Sequence, residues 1–186
     1  MADRFQTGAR NNYEGKLLVA HPNLGNFFHR TVIFIYQDDE NSGTLGLVLN
    51  KPTRITVSDV ITERKLSYSG TEHVYKGGPT NENAVFLLHE DQWYGSNTMQ
   101  IGNSGLAITS DNVMMEKLSM GNYPLGWRMC TGVAAWRPGQ LQQEMSSIHG
   151  WLTCDANRAI VFNKDGDRQW NNSLQLCANQ KIDSYF

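Results

Sequence analysis

The sequence predicts an α+β fold, one domain built of strands and helices. Three observations point there. Apolar runs of strand length, rich in Val and Ile and bounded by turn residues, recur along the chain. Segments with helical spacing and cap residues stand among these runs, so strands and helices share one chain. No internal repeat, low-complexity tract or linker divides the 186 residues, a length that suits one domain with a substantial core.

The elements follow in order. Residues 1–12, polar and containing Gly8, read as a flexible N-terminal arm, and 13–186 as the domain. KLLVA (16–20), TVIFIYQ (31–37) and GTLGLVLN (43–50) read as strands, and DDENSG between the last two as a turn, so 31–50 forms a hairpin that Pro52 ends. ITVSDVITERKL (55–66) reads as a short helix, capped by Thr56 or Ser58, with Asp59 in its first turn and Arg64 and Lys65 in its last. Strands return at HVYK (73–76), AVFLLH (84–89) and GLAITS (105–110). SDNVMMEKLSM (110–120) is helical with Ser110 as its cap, and Met114 and Leu118 share one face. GWRMCTGVAAW (126–136) reads as a strand interrupted by Gly132. RPGQLQQEMSSIHG (137–150) carries the strongest helical pattern, with Leu141, Met145 and Ile148 on one stripe and Gly150 past the end. A last helix over 167–177 aligns Trp170, Leu174 and Cys177.

Composition removes several activities. The formal charge is −2, and 18% of residues are charged. Lys and Arg are scattered, the densest pairs being Lys51 with Arg54 and Arg64 with Lys65, so no basic stripe marks a dedicated nucleic-acid binder. The N-terminus has no apolar core of signal-peptide length, and no apolar run approaches the roughly 18 residues of a spanning helix. Three widely spaced cysteines, Cys130, Cys154 and Cys177, argue against a disulfide framework and fit a reducing compartment. The expectation is a cytoplasmic protein without membrane association.

Catalytic templates fail one after another. Gly77-Gly78-Pro79 invites comparison with a phosphate loop, which needs a lysine after its glycines and successive N–H groups around the anion. Here Lys76 precedes the glycines and Pro79 offers no N–H, so the motif reads as a turn or bulge exploiting positive φ. His21, His29, His73, His89 and His149 include no metal-binding pair, and no C-x-x-C occurs; no metal and no cofactor is expected. No G-x-S-x-G elbow exists, and Cys130, inside an apolar strand, reads as a small core residue. Five tryptophans, at 93, 127, 136, 151 and 170, are spread too widely for a stacking platform and read as packing residues.

Several motifs nevertheless recur in a familiar order: GKLLVAHPNLGNFFHRTVIFI, GTLGLVLNKP, VYKGGPTNENAVFLLH, ITSD and AAWRPGQLQQEM. Through them the sequence resembles the bacterial YqgE/AlgH family over about four-fifths of its length. The resemblance implies a single compact α+β domain whose small, mostly antiparallel sheet is closed or nearly closed, barrel-like, and flanked by helices. The AlgH name carries a suggestion of transcriptional regulation, and the family supplies no established catalytic residues. The chain departs from the family pattern within 131–151, at TGVAAW and SSIHGWL.

Three functions compete. A non-enzymatic protein that binds a protein partner or small ligand, with a regulatory outcome, is the leading one, and its binding candidates are Asn50, Lys51, Gly77, Gly78, His89 and Gln140. Asn50 and Gln140 could equally satisfy turn and helix-end backbone groups. A regulator acting directly on nucleic acid would need a basic face from Lys51, Arg54, Arg64, Lys65 and Arg137. An enzyme with a spatially assembled His/Cys site would use His89 or His21 as acid/base group.

Overall fold

The computed structural model describes residues 12–148 and 150–185. The arm expected over 1–12 lies, Asn12 apart, outside the described residues. Among the described residues, ten strands form one sheet: β1 (Lys16–Ala20), β2 (Val32–Asp39), β3 (Gly43–Val48), β4 (Pro52–Thr56), β5 (His73–Lys76), β6 (Thr80–Glu90), β7 (Met99–Gln100), β8 (Leu106–Thr109), β9 (Trp127–Trp136) and β10 (Trp151–Asp155). Five helices accompany them: α1 (Val57–Thr62), α2 (Asn112–Ser119), α3 (Gln140–Met145), α4 (Arg158–Asn163) and α5 (Gly166–Asp183).

The strand order β10-β1-β2-β3-β9-β6-β8-β7 curls the sheet into a half-barrel. Strand β9 belongs to both halves. Its last residues pair with β3, as Ala134 does with Gly46, while its first pair antiparallel with β6 and parallel with β5. The parallel pairing of Tyr75 with Cys130 is the exception in an otherwise antiparallel sheet. Gly132, at φ +72, sits between the two pairings and lets β9 bend without ending.

Alternation along the strands divides the core. Leu17 and Val19 of β1, Val32, Phe34 and Tyr36 of β2, and Leu88 of β6 face the inside of the curl, together with Cys130, Trp170 and Cys177. Leu18, Ala20, Ile33 and Ile35 point the other way, onto Leu141 of α3 and the indoles of Trp136 and Trp151. On the second half, Leu87 and Met129 meet Val57 and Ile61 of α1 and Met114, Met115 and Leu118 of α2. Both faces of the sheet are covered, so its strands read as continuous apolar runs. Each fully buried Leu, Ile or Phe here contributes roughly 1.5–3 kcal/mol relative to exposure.

Several expectations need correction. Pro52 closes the hairpin but also opens β4, where its missing N–H falls at the first residue of a strand. Helix α1 is shorter than 55–66: Thr56 and Asp59 form a reciprocal capping box, while Arg64 and Lys65 lie beyond the helix, Lys65 at φ +60. Asp111, not Ser110, caps α2 by accepting the Met114 N–H. The strongest periodicity misleads most. Helix α3 stops at Met145, and Ile148 is 87% exposed, because the chain must turn there to deliver Gly150 and β10 to the edge of β1. Strands β7 and β10 and helix α4 had no distinct sequence signal.

Buried polar contacts fasten the layers. The Arg128 guanidinium reaches the Leu49 carbonyl, the Lys164 carbonyl at 2.8 Å and Gln169 Oε1 at 3.0 Å, and lies 4.1 Å from the Tyr75 ring centre. It thereby ties β9 to the end of β3 and to α4 and α5. Trp170 Nε1 donates to the Ala20 carbonyl at 2.9 Å and holds α5 on β1.

Candidate functional site

Asn50, Lys51, Gly77 and Gly78 do meet. The Val48 N–H donates to the Gly77 carbonyl at 2.7 Å, and the Lys76 N–H to the Lys51 carbonyl at 2.8 Å, so the β3–β4 turn and the glycine pair lie side by side. The glycines are required by proximity and not by φ. A Cβ on Gly77 would lie 2.5 Å from the Gly132 carbonyl oxygen, and one on Gly78 would lie 1.9 Å from the Val133 carbonyl carbon. Neither glycine is at positive φ; the left-handed residue of this stretch is Asn81, at φ +50. The pair is a crossing point of backbones, with no open cradle.

Asn50 is buried and fully engaged. Its Oδ1 accepts the Val32 N–H at 2.9 Å, and its Nδ2 donates to the carbonyls of Arg30 at 2.7 Å and Gly166 at 3.1 Å. Lys51 donates to the Phe27 carbonyl, its Nζ 4.4 Å from the Phe27 ring centre, and Lys76 approaches the same ring at 5.8 Å. Burial first, and the Lys76 charge second, lower the Lys51 pKa.

His89 and Gln140 serve the interior and a helix start. His89 is fully buried, with Nδ1 2.7 Å from the Glu90 carbonyl and Nε2 2.8 Å from Thr109 Oγ1. A carbonyl only accepts, so Nδ1 carries the proton and Nε2 accepts from the threonine. Burial holds the imidazole pKa below its ordinary value. Gln140 accepts the Arg137 N–H at 3.1 Å and donates to Glu144 Oε1 at 3.0 Å. Glu144 Oε2 in turn accepts both indole N–H groups, from Trp136 at 3.0 Å and Trp151 at 2.9 Å. The six candidates therefore do not make one recognition surface, since Asn50 and His89 are inside.

An open site lies elsewhere, over the half of the sheet covered by α1 and α2. Helix α2 ends with Gly121, at φ +76, whose N–H returns to the Leu118 carbonyl at 3.1 Å while the Asn122 N–H returns to Lys117 at 2.9 Å. Asn122 Oδ1 accepts the Trp93 indole N–H at 3.0 Å, and the Gly126 carbonyl accepts the Glu90 N–H at 3.1 Å. Between these two anchors Pro124 is buried, and Leu125 is thrown outward to 96% exposure; Met120, just before Gly121, is 79% exposed. Tyr123 is half-exposed in the same loop.

Facing this loop is the segment between α1 and β5. Ser58 Oγ donates to the Tyr68 carbonyl at 2.9 Å, and the Tyr68 hydroxyl donates to Glu72 Oε2 at 2.9 Å. Gly70 lies against both ends of this bond: a Cβ there would meet Glu72 Oε2 and the Tyr68 ring and push them aside. The two segments enclose a groove of about 510 Å³, with the hydroxyls of Ser67, Tyr68 and Ser69, the Glu72 carboxylate, and Leu118, Pro124 and Leu125 on its walls. Such walls accept an apolar side chain and hydrogen-bond the chain that carries it. Among the described residues, no group of three or more His, Cys, Asp or Glu side chains is placed to hold a metal ion. Sequence reasoning missed this site because an exposed Leu or Met reads like a core one. Its available signal was Gly121 and Pro124, which punctuate the stretch as a loop.

Curled sheet, covering helices and open groove define a single-domain α+β protein. The family model described as AlgH-like (DUF179) matches residues 17–181, and the chain belongs to that family. A UPF0301 protein of Rhizobium meliloti is 31% identical over 174 residues, covering 88% of this chain and 85% of that one. A UPF0301 protein of Shewanella oneidensis is 32% identical over 165 residues, covering 84% and 87%. The fold is similar to the solution structure of the AlgH protein from Pseudomonas aeruginosa, with a TM-score of 0.75 at 24% identity over 92% of each chain. A crystal structure of a protein from Corynebacterium diphtheriae is similar at a TM-score of 0.72 and 25% identity, covering 89% of this chain and 87% of that one.

Proposed function

We propose that the chain is a non-enzymatic cytoplasmic protein that binds a protein partner through the 120–125 loop and the groove beside it, with a regulatory outcome. The observation that carries this reading is the exposure of Leu125 on a loop pinned at both ends, with Met120 exposed just before it. Two large apolar side chains held outward by a rigid frame cost solvation in the free protein. Apolar surface exposed in this way marks protein-contact sites. No helix among the described residues is long and apolar enough to cross a membrane.

The competing readings have less support. An enzyme using His89 or Cys130 would need groups that reach substrate, yet both side chains are fully buried and burial pushes the Cys130 thiol up to about 12, while His21, the other acid/base candidate, is half-buried and accepts the Asn23 N–H at Nδ1. A nucleic-acid face would draw on Lys51 and Arg64, which donate instead to the carbonyls of Phe27 and Val60. The test is affinity capture of the full chain from cytoplasmic extract, with bound proteins, nucleic acid and small molecules all identified. A protein captured by the native chain and lost by Leu125→Asp is the expected result. Nucleic acid or a small molecule as the captured species would overturn it.

A further inference from the structure

A second groove, of about 440 Å³, is lined by residues of β10 and α5, Cys154 and Cys177 among them. Cys154 lies on β10 and Cys177 on α5, 23 residues apart in sequence, and the Cys177 thiol donates to Cys154 Sγ at 2.7 Å. Both residues are otherwise shielded, at 4% and 3% exposure, and the third thiol, Cys130, is fully buried on β9 beside Arg128. Met145, Trp151 and Leu152 line the rest of the groove with the polar ends of Lys16, Asp155 and Lys181, and its open side admits a small oxidant.

We propose that Cys154 and Cys177 form a reversible dithiol–disulfide site, oxidised by hydroperoxide and reduced by cellular thiols. A disulfide bond is about 2.05 Å long, so the sulfurs need approach by less than about 1 Å. In the oxidation one thiolate attacks a peroxide oxygen, breaking the O–O bond and giving a sulfenic acid and hydroxide. The second sulfur then attacks the sulfenic sulfur, forming the S–S bond and releasing water. Two thiols lose two electrons and two protons in total, and hydrogen peroxide becomes two waters. Two thiol equivalents of a reductant such as glutathione reverse the change by exchange.

Cys177 first, and burial second, hold the Cys154 thiol above the ordinary thiol range. Reaction at neutral pH is therefore slow, and it quickens as pH rises and the thiolate fraction grows. In a reducing cytoplasm the pair rests as thiols, which is where reversible, signalling disulfides are found. The bond would staple the C-terminal helix to the edge strand of the sheet, closing a loop of 23 residues that no other covalent link constrains.

The experiment treats the full folded chain with hydrogen peroxide, then alkylates it under denaturing conditions and maps the peptides by mass spectrometry. The expected product takes one alkyl group, on Cys130, and yields a peptide pair joining Cys154 to Cys177. Its thermal midpoint rises by roughly 5–10 °C and returns on adding reductant. Cys130→Ser keeps the cross-link and Cys177→Ser loses it. Three alkylated cysteines after oxidation, a cross-link involving Cys130, or sulfinic acid at either cysteine without a bridge would each overturn the proposal. The peptide map of the unsubstituted chain decides the matter even if a variant fails to fold.

Discussion

Gly78 and Val133 are in backbone contact so close that no other residue type fits: the Cβ of an alanine would lie 1.9 Å from the Val133 carbonyl carbon. This contact holds the 77–79 turn against β9 at the place where the two half-sheets join. Gly78→Ala is therefore expected to destabilise the protein by roughly 3 kcal/mol or more, read as a lower urea midpoint. Gly105→Ala probes φ alone, since nothing lies within 4 Å of its Cβ position. It should cost about 1 kcal/mol.

Asn50 is held by one donor and two acceptors of the main chain. Asn50→Asp replaces the amide that faces two carbonyls with another oxygen, buries a charge beside them, and should cost roughly 3 kcal/mol. Asn50→Ala leaves the same groups unpaired without the repulsion and should cost about 2 kcal/mol. Urea unfolding of both variants checks the order; equal stabilities would remove the assigned role of Nδ2.

The sheet and most of its strands were legible because apolar runs with turn residues between them are a local property of the chain. The pairing of β5 with β9 was not, since Tyr75 and Cys130 are brought together only by the fold. Ile148 shows the limit of periodicity: spacing placed it on a buried stripe, yet the need to start β10 at Trp151 ended the helix first. For the candidate residues, sequence pattern found the places where backbones cross and buried amides satisfy main chain. It could not distinguish those from an open site, because a Gly or Asn is selected by either demand. Leu125 carried no such signal, for exposure is set by the buried Pro124 and the anchors on either side of it.

His89 makes stability depend on pH. Its ordinary pKa is 6.5, and burial lowers it in the folded state. The unfolded chain therefore binds a proton that the folded chain refuses, and stability rises with pH across that interval. The contribution is complete above the unfolded value and declines as pH falls below it, levelling off beneath the folded pKa. Urea midpoints measured between about pH 7.5 and 5.5 should fall toward acid, and His89→Gln should flatten that slope. An unchanged slope in the variant would assign the effect to other groups.

The central claim is that the 120–125 loop is a protein-docking surface. Leu125 makes no interior contact to lose at 96% exposure, so Leu125→Asp should leave stability within about 0.5 kcal/mol. The decisive measurement is the dissociation constant of the captured partner for the native chain and for Leu125→Asp, made on folded protein in parallel. A weakening of roughly 30-fold or more, about 2 kcal/mol, is the expected result. Equal affinities, with the variant folded, would contradict the account.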